Sequence, residues 1–441
     1  MQQSVVDNHL TKAIELLYSG DLVGANSIAH QMNIDFPDNP KIMNVLGTIL
    51  SQQGDHSNAI QLLSRAIALS PGSPGLYNNL GNIYKSLGDT DGAIESYKTA
   101  LNINPGSSLT LNNLGTIYKD INDHDNAKRY FQRSLQYDPV KPQTLYNLAT
   151  THFSCGELND AVSLYRKTID IEPNMVAAVI NLGSALQMLG NIPEAITAFR
   201  RAKKLDPTNA QACHLLSSLT GETYEGSPEN YAKILFDGYA SSFDHSLAKV
   251  LECKIPQLLK EMLDESIKSG CKFDTTLDLG CGTGLSGAEF RSVTGELIGI
   301  DISEKMIAQA RLKHLYDDLH VSNITDYLRS VTERKFDLFV SADVFVYVGD
   351  LSEIFQLIAS LCNPGAYFLF SVETLIDDDN SDYLLRETGR YAHSMEYIKS
   401  LVVQHNFRVI DSKQVNLRKN FDAWIKGELF LLQNIYNSMQ V

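Results

Sequence analysis

A strict period of 34 residues runs through the first half of the chain. Prolines, alanines and small residues each recur at this step, in three parallel series: Pro37, Pro71, Pro105, Pro139, Pro173 and Pro207; Ala25, Ala59, Ala93, Ala127, Ala161 and Ala195; and Gly47, Gly81, Gly115, Ala149 and Gly183. A period of this length is typical of helix–turn–helix units, which cannot bury their apolar faces alone and therefore stack. Turns such as Gly54-Asp55 and Gly88-Asp89 fit this arrangement, because the glycine ends one helix and the polar residue caps the next.

The fullest unit carries small and aromatic residues at fixed offsets in both of its helices, namely Tyr77, Leu80, Gly81, Tyr84, Ala93, Tyr97, Ala100 and Pro105. This pattern resembles the tetratricopeptide repeat, and the resemblance runs from residue 4 to about residue 219 without a slip in register. It implies an all-α solenoid over residues 1–219, made of six repeats and a capping helix at 209–219.

Asparagines stand two residues before the small residue in four of the first helices: Asn79, Asn113, Asn147 and Asn181. In tetratricopeptide domains this position faces the concave groove, so the resemblance implies a groove for a peptide or partner protein. An amide offers both a donor and an acceptor to an extended chain of any sequence. The alternative is that these asparagines only cap helices or hold water in the groove.

The stretch GETYEGSPEN is short and rich in turn formers, and it predicts a linker at 220–230 between the solenoid and a second domain at 231–441. In that second domain short β-rich runs alternate with helical stretches; the runs are TTLDLG, ELIGID, LHVSNI, FDLFVSA and AYFLFSV. The alternation predicts a parallel α/β sheet. Two late runs, FRVIDSKQVNL and ELFLLQNI, predict an antiparallel pair at its edge, for seven strands in a mixed sheet.

The first predicted strand leads into Asp278-Leu279-Gly280-Cys281-Gly282-Thr283-Gly284, and the second ends at Asp301. Glycines at alternate positions let the backbone turn tightly and approach a ligand without a Cβ clash. A carboxylate at the end of the second strand can accept hydrogen bonds from both hydroxyls of an adenosine ribose. A nicotinamide dinucleotide competes for this pattern, but the leading Asp278, the order Asp301-x-Ser303-x2-Met306 and the polar end of strand four favour another cofactor.

These features resemble the class I S-adenosylmethionine-dependent methyltransferases, which have a Rossmann-like fold, and the match covers residues 275 to about 373. The resemblance implies that S-adenosyl-L-methionine is the cofactor. The glycines would cradle its methionine part, Cys281 would offer only backbone, Asp278 would orient the loop or meet the ammonium group, and Asp301 would hold the ribose. The whole set of cofactor-binding residues implied in this way is Tyr239, Asp278, Gly280, Cys281, Gly282, Gly284, Asp301, Ile302, Met306, Asn323, Ile324 and Ser341.

The segment 231–269 is predicted to be helical, with helices near 232–236 and 247–263, and its phrase FDGYASSFD resembles the lead-in that forms a lid in small-molecule methyltransferases. A lid would exclude water from the reactants. Plain packing against the sheet is the alternative.

A general base is needed only when the acceptor arrives protonated. The candidates are His393, Glu373 and Asp343, and the residues expected to touch the acceptor are Tyr347, Arg390 and Tyr391. Helix capping is the alternative role for both His393 and Asp343, and pairing with the acidic run at 377–379 is the alternative for Arg390. The acceptor is predicted to be a small molecule or a protein, and a cofactor-binding scaffold without activity is the competing function.

The charge and the cysteine content of the chain limit the kinds of substrate, metal and membrane partner that we expect. Most of the net charge of −15 falls after residue 219, which argues against a nucleic-acid substrate, because such enzymes need basic grooves. Six scattered cysteines without a CxxC pair predict neither a metal site nor disulfides. We see no secretory signal and no apolar run long enough for a membrane helix, so we expect a cytoplasmic protein that does not bind membranes.

Overall fold

The structure is a computed structural model, and it describes residues 2–221, 228–240, 243–245, 252–267, 270–375, 381–420 and 423–435. The chain divides into two compact units, residues 1–191 and residues 192–441. None of the helices in the described ranges is long and apolar enough to cross a bilayer.

The first unit is entirely helical in its described part. Its helices are α1 (Gln2–Ser19), α2 (Leu22–Asp35), α3 (Pro40–Gln52), α4 (His56–Leu69), α5 (Pro74–Ser86), α6 (Thr90–Ile103), α7 (Ser108–Asp120), α8 (His124–Tyr137), α9 (Pro142–Ser154), α10 (Leu158–Ile171) and α11 (Val176–Met188). At the turns, the 34-residue period reflects a helix cap that recurs from repeat to repeat. An aspartate side chain accepts a hydrogen bond from the third following backbone N–H at the start of four helices; these caps are Asp21, Asp55, Asp89 and Asp123.

The recurring small residues sit where two helices of one repeat cross. A Cβ atom added at Gly81 would lie 2.6 Å from Tyr97 Cε1, and one added at Gly115 would lie 2.8 Å from the Phe131 ring. The aromatic side chain of the second helix therefore occupies the space that a larger residue in the first helix would need. This packing is the physical basis of the repeat pattern, and the predicted all-α solenoid is confirmed.

The second unit begins with two helices that the sequence assigned to the solenoid. Its helices are α12 (Ile192–Leu205), α13 (Ala210–Thr220), α14 (Pro228–Tyr239), α15 (Phe243–His245), α16 (Ile255–Ser266), α17 (Leu285–Phe290), α18 (Glu304–Leu312), α19 (Ile324–Ser330), α20 (Ser352–Leu361) and α21 (Met395–Gln404). Two turns of 3-10 helix, Arg291–Val293 and Phe345–Tyr347, complete the described helical segments.

The second unit holds a mixed sheet. Its strands are β1 (Phe273–Leu279), β2 (Thr294–Asp301), β3 (Asp318–Val321), β4 (Phe336–Ser341), β5 (Cys362–Thr374), β6 (Tyr383–Leu385), β7 (Tyr391–His393), β8 (Phe407–Asn420) and β9 (Ala423–Asn434). The order is β3-β2-β1-β4-β5-β7-β6, with β9 antiparallel to β5 and β8 antiparallel to β9. The first five strands pair in parallel, as predicted.

The described sheet has nine strands rather than the seven predicted. The two missed strands, β6 and β7, form a hairpin of three residues on each side, too short to show an alternating pattern in the sequence. His393 therefore lies in strand β7, and Ser394 rather than His393 caps α21. The helix predicted at 247–263 begins at Ile255 in the structure, and residues 247–251 lie outside the described ranges.

The parallel order determines where a site can form. Strands β1, β2, β4 and β5 all end at the same edge of the sheet, and loops from that edge surround a crevice between β1 and β4, where the strand order reverses. Apolar side chains pack on both faces of the sheet, so the polar residues at this edge are supported by a rigid core.

Candidate cofactor and acceptor site

The glycine loop between β1 and α17 is fixed by the neighbouring strand. The backbone N–H groups of Gly280 and Cys281 both donate to the carbonyl of Ile300, at 2.9 and 2.8 Å. Gly280 has a φ of +74°, and a Cβ atom there would lie 2.6 Å from Val344 Cγ2. Only glycine fits this position, because both the backbone angle and the contact exclude a side chain. Gly282 and Gly284 also have positive φ, as expected of a tight backbone cradle for the methionine part of the cofactor.

Asp301 lies at the end of β2 and closes the loop from the other side. One of its carboxylate oxygens accepts from Gly282 N at 2.9 Å and the other from Ser303 N at 2.8 Å. Burial raises its pKa to about 6, although these two hydrogen bonds favour the ionised form. Each oxygen keeps a free lone pair, so the carboxylate can still accept from a ligand.

Asp278 is buried beneath the same loop. Its Oδ2 accepts a hydrogen bond of 2.7 Å from the Tyr316 hydroxyl, whereas its Oδ1 has no partner in the described part of the chain. Burial raises its pKa to about 7, and the Tyr316 hydrogen bond opposes this shift. An unpaired buried carboxylate oxygen is costly unless a donor reaches it. A ligand ammonium group is such a donor, so Asp278 fits the predicted cofactor.

The other predicted cofactor residues differ in burial and in the hydrogen bonds that they form. Met306 is fully buried at the start of α18, and Ile324 packs against the core, so both offer apolar surface only. Ile302, in the turn after β2, is half-buried. Ser341 is buried at the end of β4, and its hydroxyl has no hydrogen-bond partner in the described part of the chain. Asn323 is used differently, because its Oδ1 caps α19 by accepting from Asp326 N at 2.7 Å.

The lead-in helices contact the loop directly. The Thr283 hydroxyl donates to Asp244 of α15, and the Ser303 hydroxyl donates to Asp237 of α14 at 2.6 Å. The Phe243 ring lies 3.7 Å from the place where a Cβ of Gly282 would be. These contacts agree with a lid over the loop. The side chain of Tyr239 and the acidic run at 377–379 lie outside the described residues.

A buried ion-pair cluster stands at the ends of β4 and β5. The guanidinium of Arg418 pairs with Asp343 through Nη1 and with Glu373 through Nη2. Arg418 and Glu373 are 0% and 1% exposed. Asp343 has a φ of +59°, and its backbone N–H donates to the Ser371 hydroxyl at 2.8 Å, which holds the carboxylate toward Arg418. Asp343 is thus an ion-pair partner rather than the helix cap that was its alternative role.

Sequence reasoning missed Arg418. It lies in β8, where a register shift interrupts the pairing with β9 between Asn416 and Arg418. Such a bulge re-aims a side chain, and here it turns an arginine of an edge strand into the interior. The only available signal was an arginine within an otherwise strand-like run, which by itself indicates a solvated face.

Arg390 and Tyr347 adjoin this cluster. Arg390 Nε donates to the Tyr347 hydroxyl at 3.3 Å, and the guanidinium lies 5.7 Å from the centre of the Tyr347 ring. The Tyr347 ring in turn meets Phe236 of α14 edge to face, with centroids 5.0 Å apart. Burial disfavours the charge of Arg390, but nearby Tyr347, Asp343 and Glu373 outweigh it and raise the pKa of Arg390.

Comparison with known proteins agrees with both units. A methyltransferase domain family matches residues 270–425, and four tetratricopeptide repeat families match residues 47–88, 72–139, 112–175 and 156–219. The chain joins tetratricopeptide repeats to a methyltransferase domain. Tetratricopeptide repeats support a role in binding a peptide or protein partner.

Among curated relatives, a ubiquinone biosynthesis O-methyltransferase of Thiobacillus denitrificans is 30% identical over 29% of this chain and 52% of its own length. One of Serratia proteamaculans is 24% identical over 36% of this chain and 64% of its own length. The chain therefore spans between about half and two thirds of these relatives. Among solved structures, the MamA protein is 26% identical with a TM-score of 0.35, and the match covers 39% of this chain and 94% of that protein.

In the methyltransferase domain His393 stands apart from the carboxylates. Glu373 pairs with Ala392 across β5 and β7, so His393, the next residue, points to the opposite face of the sheet. Its ring is fully buried, and Nε2 lies 3.0 and 2.9 Å from the carbonyls of Val348 and Gly349. Burial lowers its pKa to about 4. We therefore correct the base assigned to His393, whose ring supports the backbone after β4. Tyr391 shares its face of the strand.

In the repeats, the four asparagines predicted to line the groove, here called the asparagine ladder, form hydrogen bonds to side chains of the preceding repeat. Each amide of the predicted set donates to a side chain of the preceding repeat: Asn79 to Asn44, Asn113 to Asn78, Asn147 to Asn112, and Asn181 to the Tyr146 hydroxyl. Asn147 is only 6% exposed. The ladder thus connects neighbouring repeats, and its peptide-binding role stays a prediction.

Proposed function

We propose that the chain transfers a methyl group from S-adenosyl-L-methionine to an acceptor bound at the ends of β4 and β5. One observation carries this proposal. Two buried carboxylates flank the glycine loop, and one of them, Asp278, has an oxygen without a partner in the described residues. A cationic ligand that also carries ribose hydroxyls satisfies both carboxylates at once.

In this assignment Asp278 meets the ammonium group and Asp301 accepts from the ribose, while the loop at 280–284 encloses the methionine part. Ile302 and Met306 pack on the adenine, as expected from the family resemblance. Asn323 contributes less than its position implies, because its side chain already caps a helix. When bound, the cofactor supplies an electrophilic methyl group.

We place the methyl acceptor at the ends of β4 and β5 because the loop after β4 contacts the glycine loop. Val344, which touches Gly280, comes directly after Asp343, so the carboxylate cluster begins beside the glycine loop. Alignment of donor and acceptor and exclusion of water supply much of the rate of a displacement. Phe236, Phe243 and Tyr347 form the apolar cover that excludes water.

A hydroxyl acceptor must lose its proton, and Glu373 is our candidate for receiving it. Its Oε1 is held by Arg418, whereas its Oε2 is buried without a partner in the described chain. Burial raises its pKa above the usual value, which makes the carboxylate a stronger base. The named relatives are O-methyltransferases, which agrees with oxygen as the accepting atom. Asp343 then orients Arg418 and faces the cofactor side.

We propose in addition that the tetratricopeptide unit binds a peptide segment of a partner or of a protein acceptor, in a cytoplasmic setting. The amide oxygens of these asparagines support this role, because an amide oxygen that already accepts one hydrogen bond, as those of Asn79 and Asn147 do, can accept a second.

Calorimetric titration of S-adenosyl-L-methionine into the full chain tests the proposal, with NAD as a competing ligand. We expect micromolar binding by the unmodified chain, at least about tenfold weaker binding by Asp301→Asn, and unchanged binding by Asp264→Asn, an exposed carboxylate on α16. No heat from a folded protein contradicts cofactor binding. Binding without labelled methyl transfer to any lysate component supports the scaffold function instead.

A further inference from the structure

The acceptor site contains two arginines with opposite environments. Arg418 is fully enclosed and forms ion pairs with two carboxylates. Arg390 forms no ion pair among the described residues, and its side chain makes one hydrogen bond, from Nε to the Tyr347 hydroxyl at 3.3 Å. Its four Nη hydrogens therefore have no partner in the described part of the site. Both nearby carboxylates, Asp343 and Glu373, form ion pairs with Arg418 instead.

A half-buried guanidinium with free Nη groups is a specific receptor. Its planar fork matches the two oxygens of a carboxylate or the oxygens of a phosphate, and such bidentate pairs are among the strongest hydrogen bonds in proteins. The Tyr347 ring beside the guanidinium also stabilises its charge, so Arg390 is held in place before a ligand arrives.

We infer that the methyl acceptor carries an oxyanionic group, a carboxylate or a phosphate, which Arg390 binds through its Nη groups. This inference rests on the proposed function, since it concerns the acceptor of that same site. It narrows the acceptor to molecules with an acidic group beside the nucleophile. Neutral analogues would leave the guanidinium unpaired and would bind weakly.

The test uses benzoate and inorganic phosphate as probes, with benzamide as the neutral analogue of benzoate. Binding to the full chain, saturated with S-adenosylhomocysteine, is measured by ligand-observed NMR. We expect benzoate or phosphate to bind at least about tenfold more tightly than benzamide, and Arg390→Met to abolish this preference. Arg390→Lys keeps the charge but not the fork, and should retain part of the affinity. Arg386→Met, on the same hairpin, should bind like the unmodified chain.

Stronger binding of benzoate than of phosphate identifies a carboxylate, and the reverse identifies a phosphate. Equal binding of benzoate and benzamide, the same affinity after Arg390→Met, or no saturable binding of either anion at millimolar concentration overturns the inference. The proposed function fails separately, when S-adenosylhomocysteine itself does not bind.

A buried histidine in α13, the helix before the predicted linker, contacts the β6–β7 hairpin. His214 of α13 is 2% exposed, and its Nε2 lies 2.8 Å from the carbonyl oxygen of Gly389. Its ring stacks on Tyr231 of α14 with centroids 3.9 Å apart and planes 14° apart. Because burial lowers the pKa of His214, the ring is neutral and donates the Nε2–H to the carbonyl.

Gly389 belongs to the turn of the β6–β7 hairpin, directly before Arg390. Its N–H donates to the Arg386 carbonyl at 2.9 Å, and the Arg386 N–H donates to the Arg390 carbonyl at 2.9 Å. With a φ of +75° and the Tyr231 hydroxyl 3.4 Å from a Cβ placed on it, Gly389 fits closely against α13 and α14. The position of the turn, and with it the position of Arg390, therefore depends on His214.

We propose that His214 is a positioning residue for Arg390, so that α13 is a functional part of the methyltransferase unit. Two substitutions separate its contacts in the full chain: His214→Phe keeps the stacking and loses the hydrogen bond, whereas His214→Gln can still donate to Gly389. We expect His214→Phe to raise amide hydrogen exchange at 383–393 at least about tenfold, and to weaken the oxyanion probe by a similar factor. S-adenosylhomocysteine should bind as before, and His214→Gln should restore most of both effects.

A general loss of stability would instead raise exchange at the glycine loop and weaken cofactor binding as well. Unchanged exchange at 383–393 in His214→Phe, or an equal effect at 278–290, overturns this assignment.

Discussion

The two halves of the proposed site, one for the cofactor and one for the methyl acceptor, are built from different groups. The cofactor half combines a backbone cradle with two buried carboxylates, Asp278 and Asp301: the cradle consists of glycines with positive φ, and its N–H groups bond to the backbone and to the Asp301 carboxylate of β2. The acceptor half is made of side chains, and its centre is the ion-pair cluster of Arg418, Asp343 and Glu373. The first depends on local geometry and the second on a balance of buried charge.

This difference determines how each half responds to change. A buried charge that loses its partner is costly, because the low-dielectric interior does not replace it. A backbone cradle loses little when neighbouring side chains change, except where a Cβ atom cannot fit. Substitutions in the acceptor half should therefore affect folding most strongly, and those in the cofactor half should affect ligand binding more than folding.

The largest effect is expected from Arg418→Met. The substitution removes the guanidinium that forms ion pairs with both Asp343 and Glu373 and leaves only the longer-range charge of Arg390 near them, which should lower the free energy of unfolding by about 3–5 kcal/mol. Urea denaturation at neutral pH measures this loss. The control is Arg408→Met in the same strand, where the exposed arginine donates to Gln433 and forms no ion pair within the described residues. A loss as small as that of the control would show that the cluster does not dominate the acceptor half.

The second prediction concerns Asp278 and pH. Its pKa is raised from the ordinary value of 3.8 to about 7 in the folded chain, so the folded state binds more protons between these pH values. The unfolding free energy should therefore fall as pH rises from about 4 to about 7, by at most about 4 kcal/mol from this residue. Asp278→Asn should remove much of this slope and stabilise the apo protein at pH 8.

Tyr316→Phe provides the opposite control, since it removes the one side-chain hydrogen bond that favours the ionised carboxylate. It should raise the pKa of Asp278 further and move the decline to higher pH. Identical profiles for all three proteins would show that Asp278 is not the group responsible.

The third prediction tests the backbone cradle. Gly280→Ala combines an unfavourable φ with a contact to Val344, whereas Gly270→Ala has a similar φ of +85° and no atom within 4 Å of the new Cβ. The difference between the two variants isolates the contact, and we expect it to be about 1–3 kcal/mol in the free energy of unfolding. Val344→Ala should rescue Gly280→Ala in both stability and cofactor affinity. A failure of this rescue would assign the cost to the backbone angle alone.

The difference between the two halves also explains which parts of the site could be predicted from the sequence. The cofactor half could be predicted because its parts are close in sequence: three glycines lie within five residues, and Asp301 follows 21 residues after Gly280. The repeats could be predicted because a side chain of the second helix packs on the small residue of the first helix in successive repeats: Leu63 on Gly47, Tyr97 on Gly81 and Phe131 on Gly115. Local pattern and local structure coincide in both cases.

The acceptor half could be predicted only in part. Arg418 lies 75 residues from Asp343 and 45 from Glu373, and a β-bulge aims it inward, so no local pattern indicates the cluster. His214 lies 175 residues from Gly389, within a helix whose sequence completes the repeat period. The sequence favours His393 as a base because a neutral imidazole is available at pH 7, whereas strand pairing turns its side chain to the face opposite Glu373.

The smallest effect on stability is expected at the lid, the helices α14 and α15 that contact both the glycine loop and Tyr347. Asp244 bonds the Thr283 hydroxyl and forms a 2.7 Å ion pair with Lys313, but it is 47% exposed, so solvent screens the pair. Asp244→Asn should change stability by less than about 1 kcal/mol. Because the lid must open for exchange, the variant should release S-adenosylhomocysteine about two- to fivefold faster, in stopped-flow displacement at low salt.

High salt should bring the release rate of the unmodified chain toward that of Asp244→Asn, since screening weakens the same pair. The matched control is Asp264→Asn, which removes an exposed aspartate–lysine pair on α16. Equal acceleration in both variants would attribute the effect to overall charge. An acceleration confined to Asp244→Asn would show that the contacts of Asp244 with Thr283 and Lys313 slow the release of the cofactor.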